Sequence, residues 1–284
     1  MTVTELPAGP IAQAIAEGTI GGRLWFYANY HCNLECTYCL TESGPGVPRR
    51  LIDAETVLDL VRQARDLGFT SVGITGGEPF MVASMPSLVE SISEILPVIV
   101  LSNATLFTGS RLDRVAKFAG RDISVQVSLD APDAGPNDTK RGDSNWSSVA
   151  EAIPALVARG VRVRIATTTE EGSLSPADHE RLCELHRTWG VADEDHIVRP
   201  IISRGRAESD GVGIGASIAN LPAELCITAD GAFWSPFGPT VVSGRLDTDL
   251  LITRTTNPLS VPAGAMVRLA GGRPPGADAQ LSIR

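Results

Sequence analysis

The chain has 284 residues, of which 43% are hydrophobic and 20% charged, and its formal net charge is −9 at pH 7. This length and composition suit one sizeable soluble domain, or one domain with a small appendage. The acidic balance disfavours nonspecific binding to nucleic acid, because such a surface repels phosphate backbones. No apolar run approaches the roughly 18 residues that a membrane-spanning helix needs, so no membrane partner is expected.

The compartment is predicted from the N-terminus and from the cysteines. The first residues, MTVTELPAGPIAQAIAEGTIGG, lack the basic start and the apolar centre of an export signal. The chain has five cysteines, an odd number, and three of them lie within eight positions. Cysteines this close in the sequence cannot form disulfides that cross-link distant parts of a large fold. In a reducing compartment, clustered thiols usually bind metal or take part in catalysis. A cytoplasmic protein is therefore expected.

From about residue 20 to residue 202, short apolar runs alternate with longer amphipathic stretches. The runs are rich in Val and Ile and are bounded by Gly, Pro, Asp or Asn, which is typical of buried parallel strands. Strands are predicted at 23–30, 71–75, 97–102, 123–129, 161–168 and 196–202. Helices are predicted at 53–69, 84–95, 109–119, 146–159 and 176–189. Asp53 is the expected N-cap of the first of these helices.

This alternation predicts an α/β fold with a parallel sheet and right-handed crossovers. Six units are too few for a standard eight-stranded barrel, so the alternatives are an open partial barrel and a doubly wound sheet. After about residue 205 the alternation stops, and residues 224–238 predict a β-hairpin around an Ala-Asp-Gly turn. We expect four parts in the chain: an N-terminal extension at 1–20, a main domain at 21–205, a C-terminal extension at 206–268 and a flexible tail at 269–284.

The stretch HCNLECTYCL places Cys32, Cys36 and Cys39 directly after the first predicted strand. A structural zinc site would normally take a fourth ligand from a second pair, whereas Cys183 and Cys226 each stand alone in the sequence. Buried cysteines with no shared role would seldom show this spacing. A [4Fe–4S] cluster normally takes four thiolates, so three would leave one iron open to a further ligand.

The cysteine motif, with Tyr38 just before its third member, resembles the signature of the radical S-adenosylmethionine (SAM) superfamily. The stretch ITGGEPF at 74–80 resembles the second motif of that family, which follows the second strand. LSNATLF at 101–107 and SLDAP at 128–132 resemble its segments after the third and fourth strands, and Ala104 stands where glycine is usual. The resemblance covers about residues 20 to 205.

This resemblance implies a partial (β/α)6 TIM-like barrel that holds one [4Fe–4S] cluster and SAM. The implied metal ligands are Cys32, Cys36 and Cys39, and the open iron would bind the amino nitrogen and carboxylate of SAM. The residues expected to contact SAM are Tyr38, Gly76, Gly77, Glu78, Pro79, Asn103, Ser128, Asp130 and Arg141. The glycines would let the backbone approach the ligand, and an arginine suits its carboxylate.

Several of these residues also have an ordinary structural explanation. Gly76 and Gly77 would fit a tight strand-to-helix turn, and Asn103 would fit a turn without a ligand. Ser128 and Asp130 could instead cap the following loop. Arg141, as a residue type, fits a solvated or loop-bracing arginine better than a SAM contact.

The resemblance also implies the reaction. Enzymes of this family pass one electron to SAM and form a 5′-deoxyadenosyl radical, which abstracts hydrogen from an organic substrate. The implied partners are an external electron donor of the flavodoxin or ferredoxin type and a substrate, either a peptide or a small-molecule precursor of a natural product or cofactor. The competing class is a non-catalytic iron–sulfur or zinc binding module, which would not need the GGEP and SLD motifs.

The stretches SLDAPDAGPNDTKRGD and RPIISRGRA resemble family members that carry SPASM or shorter twitch C-terminal domains with auxiliary clusters. This chain has only Cys226 in that part, and Phe237 stands where cysteine is usual. A reduced extension that covers the barrel mouth without metal is therefore expected. Some peptide epimerases of the superfamily use a lone cysteine to donate hydrogen, which makes Cys226 a candidate catalytic residue. The alternative is a small buried hydrophobe.

Overall fold

The computed structural model describes residues 7–242 and 245–272 of the chain. Its strands are β1 (Arg23–Tyr27), β2 (Ser71–Thr75), β3 (Val98–Ser102), β4 (Ile123–Ser128), β5 (Arg162–Thr169), β6 (His196–Pro200), β7 (Ile202–Ser203), β8 (Ile214–Gly215), β9 (Cys226–Thr228), β10 (Gly231–Phe233), β11 (Val241–Val242), β12 (Arg245–Leu246) and β13 (Leu251–Thr253). Its helices are α1 (Ala8–Ala16), α2 (Ala54–Asp66), α3 (Met85–Ser93), α4 (Gly109–Val115), α5 (Ala134–Arg141), α6 (Asn145–Val157), α7 (Pro176–Thr188), α8 (Arg206–Ser209) and α9 (Ser260–Ala270).

Within these described residues, the main sheet has nine strands in the order β13-β10-β9-β1-β2-β3-β4-β5-β6. Strands β1 to β6 run parallel, each beside its successor in the sequence. At least one helix separates each successive pair, so the architecture is the predicted partial (β/α)6 barrel. Because the strands are parallel, the loops after their carboxyl ends meet at one end of the barrel.

Local sequence signals explain the regular elements. Asp53 caps α2 as predicted, since its carboxylate accepts a hydrogen bond from the backbone N–H of Thr56 at 2.9 Å. The helix then turns one apolar face inward. The buried residues on that face are Val57, Leu60, Val61 and Ala64. This face packs on the sheet and supplies most of the stability of the helix, as is usual for amphipathic helices.

The C-terminal hairpin continues the barrel sheet. Its first strand, β9, pairs in parallel with β1, where Trp25 lies opposite Cys226. The Trp25 indole donates to a carboxylate oxygen of Glu224 at 2.6 Å and covers Gly73, where an added Cβ would lie 2.3 Å from the ring. The predicted hairpin is therefore present, and it is packed into the core of the barrel.

Four helices were not anticipated from the sequence: α1, α5, α8 and α9. Helix α9 packs against α1, so the two ends of the described chain meet. The tail predicted at 269–284 starts too early, because Leu269 and Ala270 complete α9. The rest of that prediction, from 273 onward, lies outside the described residues. None of the helices in the described ranges is long and apolar enough to cross a bilayer.

Candidate active site

Three cysteine side chains reach one cavity at the carboxyl end of the barrel. Cys32, Cys36 and Cys39 lie on the loop that follows β1, and all three line the cavity. The cavity has a volume of about 1040 Å³, which includes the space at its opening to solvent. The sequence prediction that these thiols share one site therefore agrees with their placement.

The thiols lie in a partly dry environment with few hydrogen-bond donors. The Cys32 Sγ accepts from the backbone N–H of Leu34 at 3.4 Å and from Asn103 Nδ2 at 3.7 Å. Burial raises the pKa of the Cys32 thiol to about 12. Burial also raises the pKa of Cys36, although the nearby Arg141 guanidinium opposes the rise. Without a bound metal these groups are thiols, and metal binding would release their protons.

The GGEP stretch after β2 packs directly on the start of the cysteine loop. The Gly77 N–H donates to the carbonyl of Asn29 at 2.7 Å, and the Glu78 N–H donates to that of His31 at 3.0 Å. An added Cβ at Gly77 would lie 2.2 Å from the His31 oxygen, and one at Gly76 would lie 2.4 Å from the Asn29 oxygen. Gly76 also has a φ of 131°. These glycines line the cavity, but their small size is required by the contact between two backbone segments rather than by a ligand.

Glu78, one of the residues expected to contact SAM, does not present its carboxylate to the cavity. The side chain is fully buried. It accepts hydrogen bonds from the backbone N–H of Phe80 at 3.0 Å, the Ser102 hydroxyl at 2.9 Å and the backbone N–H of Asn103 at 2.8 Å. Burial raises the pKa of Glu78 to about 7, and these three donors limit the rise. Glu78 thus joins the ends of β2 and β3.

Pro79 likewise lies away from the cavity lining and begins a 3₁₀ turn, Pro79–Met81. Asn103 does line the cavity, and its Nδ2 also donates to Asn33 Oδ1 at 3.0 Å. The following residue, Ala104, has a φ of 59°, the left-handed conformation that explains why glycine is usual there.

Asp130 is the centre of a second buried polar group. Its Oδ1 accepts from the backbone N–H of Thr168 at 2.9 Å, and its Oδ2 pairs with Arg141 Nη1 at 3.2 Å. The Tyr38 hydroxyl lies between the two and hydrogen-bonds to both. Asp130 does not line the cavity, whereas Ser128, Tyr38 and Arg141 do. Asp130 therefore orients Tyr38 and Arg141, and its expected contact with SAM stays a prediction.

Arg141 is the predicted contact whose geometry best suits an anionic ligand. Its side chain is 7% exposed, and its Nε has no hydrogen-bond partner in the described part of the chain. A buried guanidinium nitrogen without an acceptor is costly, so a ligand oxygen would stabilise it. The expected contact of Arg141 with SAM stays a prediction, now with a position for the guanidinium as well as its residue type.

Sequence reasoning missed the arginine that braces the cysteine loop. Arg206 donates through its guanidinium to the carbonyls of Cys36 at 3.2 Å, Glu42 at 3.3 Å and Ser43 at 2.8 Å. Its backbone N–H donates to the carbonyl of Cys39 at 3.1 Å. Arg206 lies in the stretch RPIISRGRA, which resembles the family, but the sequence indicated no role for this arginine.

The sequence predicted that the C-terminal extension covers the barrel mouth, but it did not identify the residues that form this wall. Pro236 and Phe237 line the same cavity as the cysteines, so the extension covers the barrel mouth. Arg204 holds this segment in place, because its guanidinium donates to the Gly238 carbonyl at 3.2 Å and to Asp247 Oδ2 at 2.6 Å. Phe237 therefore fills, with an apolar ring, the position where the resemblance expected a cysteine.

The structure places Cys226, the candidate hydrogen donor, on β9. Cys226 is fully buried on β9 and does not line the cavity. Its thiol belongs to the apolar core between the barrel and the hairpin. The alternative reading, a small buried hydrophobe, describes its surroundings.

Comparison with known protein families matches residues 28–170, half of the chain, to the radical SAM superfamily. The chain belongs to the radical SAM superfamily. A GTP 3′,8-cyclase from Syntrophomonas wolfei subsp. wolfei is 35% identical over 129 residues, which cover 43% of this chain and 38% of that protein. The mycofactocin maturase MftC from Mycolicibacterium smegmatis is 31% identical over 129 residues, 45% of this chain and 32% of that protein. The chain thus spans less than half the length of these curated relatives.

Solved radical SAM structures share the fold. SuiB from Streptococcus suis, in its crystal structure with S-adenosylmethionine, superposes with a TM-score of 0.56 at 21% identity, over 66% of this chain and 43% of that one. The anSMEcpe structure with bound AdoMet superposes with a TM-score of 0.57 at 12% identity, over 84% of this chain and 80% of that one. At these identities the likeness supports the fold alone.

Radical SAM enzymes use a [4Fe–4S] cluster and SAM, and the residues present fit both groups. The donor set at the cavity is three sulfurs, which suit iron–sulfur clusters better than hard cations. Beside them, the buried Arg141 Nε lacks an acceptor in the described residues. A soft three-thiol site next to an unsatisfied cation matches a cluster with a carboxylate-bearing ligand.

Proposed function

We propose that this chain is a radical SAM enzyme with a single cluster that abstracts hydrogen from a small-molecule precursor of a natural product or cofactor. Cys32, Cys36 and Cys39 would hold the [4Fe–4S] cluster, and SAM would lie in the same cavity. The observation that carries the proposal is the convergence of the three thiols on one cavity. When bound, the cluster and SAM supply the electron and the 5′-deoxyadenosyl radical that start the reaction.

The roles of the protein residues follow from their contacts. Arg141 would pair with the carboxylate of SAM, oriented by Asp130 and Tyr38. Gly76, Gly77, Asn103 and Ser128 would supply backbone and polar contacts along the same wall. Phe237 would exclude water from the mouth, which a radical intermediate requires. An external flavodoxin- or ferredoxin-like protein would supply the electron.

A compact substrate is supported by the shape of the cavity. The C-terminal segment closes one side with Pro236 and Phe237, and β6 adds the half-buried Arg199. Arg199 Nε donates to Thr168 Oγ1 at 3.3 Å, and its terminal nitrogens would suit an anionic substrate group. The GTP 3′,8-cyclase relative is named for a small anionic substrate, in agreement with this assignment.

A peptide is the second candidate substrate, and the likeness to the maturase MftC favours it. The structure does not favour Cys226 as hydrogen donor in this function, because that thiol is buried and does not line the cavity.

The test is anaerobic reconstitution followed by assay with SAM and dithionite. We expect about four iron and four sulfide per chain and the formation of 5′-deoxyadenosine. Cys36→Ala should lose the iron and the product, whereas the control Cys183→Ala should keep both. A reconstituted cluster that yields no 5′-deoxyadenosine, and whose EPR signal SAM leaves unchanged, would instead support a non-catalytic iron–sulfur module. About eight iron per chain would contradict the single cluster.

A further inference from the structure

A second group of soft ligands lies on the outside of the barrel, away from the cysteine loop. It lies between α7 and β6, the last strand of the sheet, and none of its members lines the active-site cavity. The chain has four histidines, and three of them, His179, His186 and His196, are gathered here around Cys183.

The geometry brings three ligand atoms together. His179 and Cys183 are four residues apart on α7, so they lie on the same helix face. His179 Nδ1 lies 3.9 Å from Cys183 Sγ, and His196 Nδ1 lies 3.8 Å from the same sulfur. The ligand atoms of all three residues lie within 4.8 Å of one another. Ligand atoms around a tetrahedral zinc ion lie roughly 3.3–3.7 Å apart, given Zn–S near 2.3 Å and Zn–N near 2.0 Å, so small side-chain shifts suffice.

A hydrogen bond fixes the form of the His196 ring that a metal needs. The Thr167 hydroxyl donates its single hydrogen to the Leu129 carbonyl at 2.8 Å. Its oxygen is therefore left to accept from His196 Nε2, which lies 2.9 Å away. The proton then resides on Nε2, and the Nδ1 lone pair is directed at the group around Cys183. Partners of this kind orient the histidine ligands of zinc sites.

The buried His186 is independent evidence that this group of side chains takes a further polar partner. Its side chain is fully buried, and neither ring nitrogen has a hydrogen-bond partner in the described part of the chain. The ring lies edge-on against His196, with 4.5 Å between the centroids. An apolar residue would fill this space at lower cost, so a buried imidazole without partners indicates that the site has a further polar component.

We propose that His179, Cys183 and His196 bind one zinc ion, with water as the fourth ligand. The ligand set of one thiolate and two imidazoles suits zinc, and binding would release the Cys183 thiol proton to solvent. The solvent-exposed His179 provides the entry side. The ion would fasten α7 to the outermost parallel strand of an open barrel, where no further strand follows β6 in the described sheet.

The test measures zinc and iron in the same reconstituted holoenzyme. The protein is treated with zinc anaerobically, desalted and analysed by mass spectrometry of its metals. We expect about one zinc per wild-type chain, and at least a fivefold loss in Cys183→Ser and in His196→Gln, with iron unchanged. His179→Gln changes an exposed residue and should show the same zinc loss without a risk to folding. Cys36→Ser is the matched control, since it should lose iron and keep zinc.

X-ray absorption at the zinc edge gives the independent readout. We expect one sulfur at about 2.3 Å and three nitrogen or oxygen neighbours near 2.0–2.1 Å. Zinc should also raise the Tm of the wild type by at least about 3 °C and leave that of His179→Gln unchanged. The proposal is overturned if zinc content is equal in the wild type and all three site variants. It is also overturned if Cys36→Ser removes the zinc, or if three sulfurs surround it. None of these results depends on SAM cleavage.

Discussion

At the scale of single residues, the site is organised by buried groups that do not line the cavity. Glu78 binds three donors from two chain segments, and Asp130 orients Tyr38 and Arg141. The sequence motifs contain both acids, which is why they were predicted as contacts. The structure shows that a motif residue can instead serve to hold its neighbours.

The Glu78 carboxyl should make stability depend on pH. Burial raises its pKa to about 7, so from about pH 5 to pH 7 the folded state keeps a proton that the unfolded state has lost. This contribution is fully present below the unfolded pKa and disappears as the pH rises through 7. The wild type should therefore lose stability relative to Glu78→Gln by up to about 1.4 kcal/mol per pH unit in this window.

Urea unfolding of the two apo proteins at several values between pH 5.5 and 8 measures this difference. The overall stability of Glu78→Gln will be lower, because an amide nitrogen faces the donors of Ser102, Phe80 or Asn103. The quantity to compare is therefore how the free energy of unfolding of each protein changes with pH. Parallel curves for the two proteins would show that Glu78 does not titrate in this range.

Gly77 should tolerate no side chain. A Cβ would lie 2.2 Å from the His31 oxygen, and the backbone cannot retreat without breaking the hydrogen bond to Asn29. We expect Gly77→Ala to lower the free energy of unfolding by about 3 kcal/mol. Gly135→Ala, in the first turn of α5, is the control, since nothing lies within 4 Å of its added Cβ. It should change stability by less than about 1 kcal/mol. Equal effects of the two changes would refute the close backbone approach.

At the scale of secondary-structure elements, the sequence predicted the repeating strands and helices of the barrel. It missed helices that lack a regular apolar pattern. The six parallel strands were found because buried strands are continuous apolar runs. Helix α5 was missed because its stretch AGPNDTKR has no apolar stripe. Its stability comes from polar contacts instead, such as the Asn137 Oδ1 that accepts from the Asp130 N–H at 3.0 Å. Helix α9 contains Pro and Gly, and its packing on α1 outweighs weak intrinsic propensity.

In the candidate site, too, residues in continuous motifs were predicted and residues that are distant in the sequence were not. The cysteines and glycines were predicted because each motif is continuous in the sequence. Arg206 was not, since it reaches the Cys36 carbonyl from 170 residues away. Phe237 was noted only as a missing cysteine, and its place in the cavity wall follows from how the hairpin docks on β1. Contacts of this kind depend on the tertiary fold and leave no local pattern.

The brace between α8 and the cysteine loop should determine how firmly the proposed cluster is held. Arg206→Lys keeps the charge but cannot reach three carbonyls at once, so we expect a loss of about 2 kcal/mol in stability. Iron should also leave the reconstituted protein several times faster in the presence of a chelator. Arg159→Lys is the control, because the exposed guanidinium of Arg159, just after α6, donates to the Ala155 carbonyl of that helix. Equal rates of iron release in the two variants would refute the brace.

At the scale of the whole molecule, the C-terminal extension and the barrel share one sheet. Strand β9 pairs with β1 in the middle of the nine-stranded order, so its amides lie between two neighbouring strands. The buried Arg204 adds an ion pair to Asp247 at 2.6 Å. Residues 206–268, although set apart by sequence pattern, should therefore unfold together with the barrel rather than as a separate unit.

Native-state hydrogen exchange tests this cooperativity. Peptides that cover β9 should exchange with the same free energy as those that cover β2 and β3, since both need global unfolding to open. Asp247→Asn should lower that free energy equally in all three strands, by about 2 kcal/mol, because it leaves Arg204 buried without its anion. Asp249→Asn is the control, as its backbone N–H donates to Asp247 while its own carboxylate is exposed. Faster exchange confined to residues 224–238 would show instead that the extension opens alone, and that the barrel mouth can be uncovered without unfolding the site.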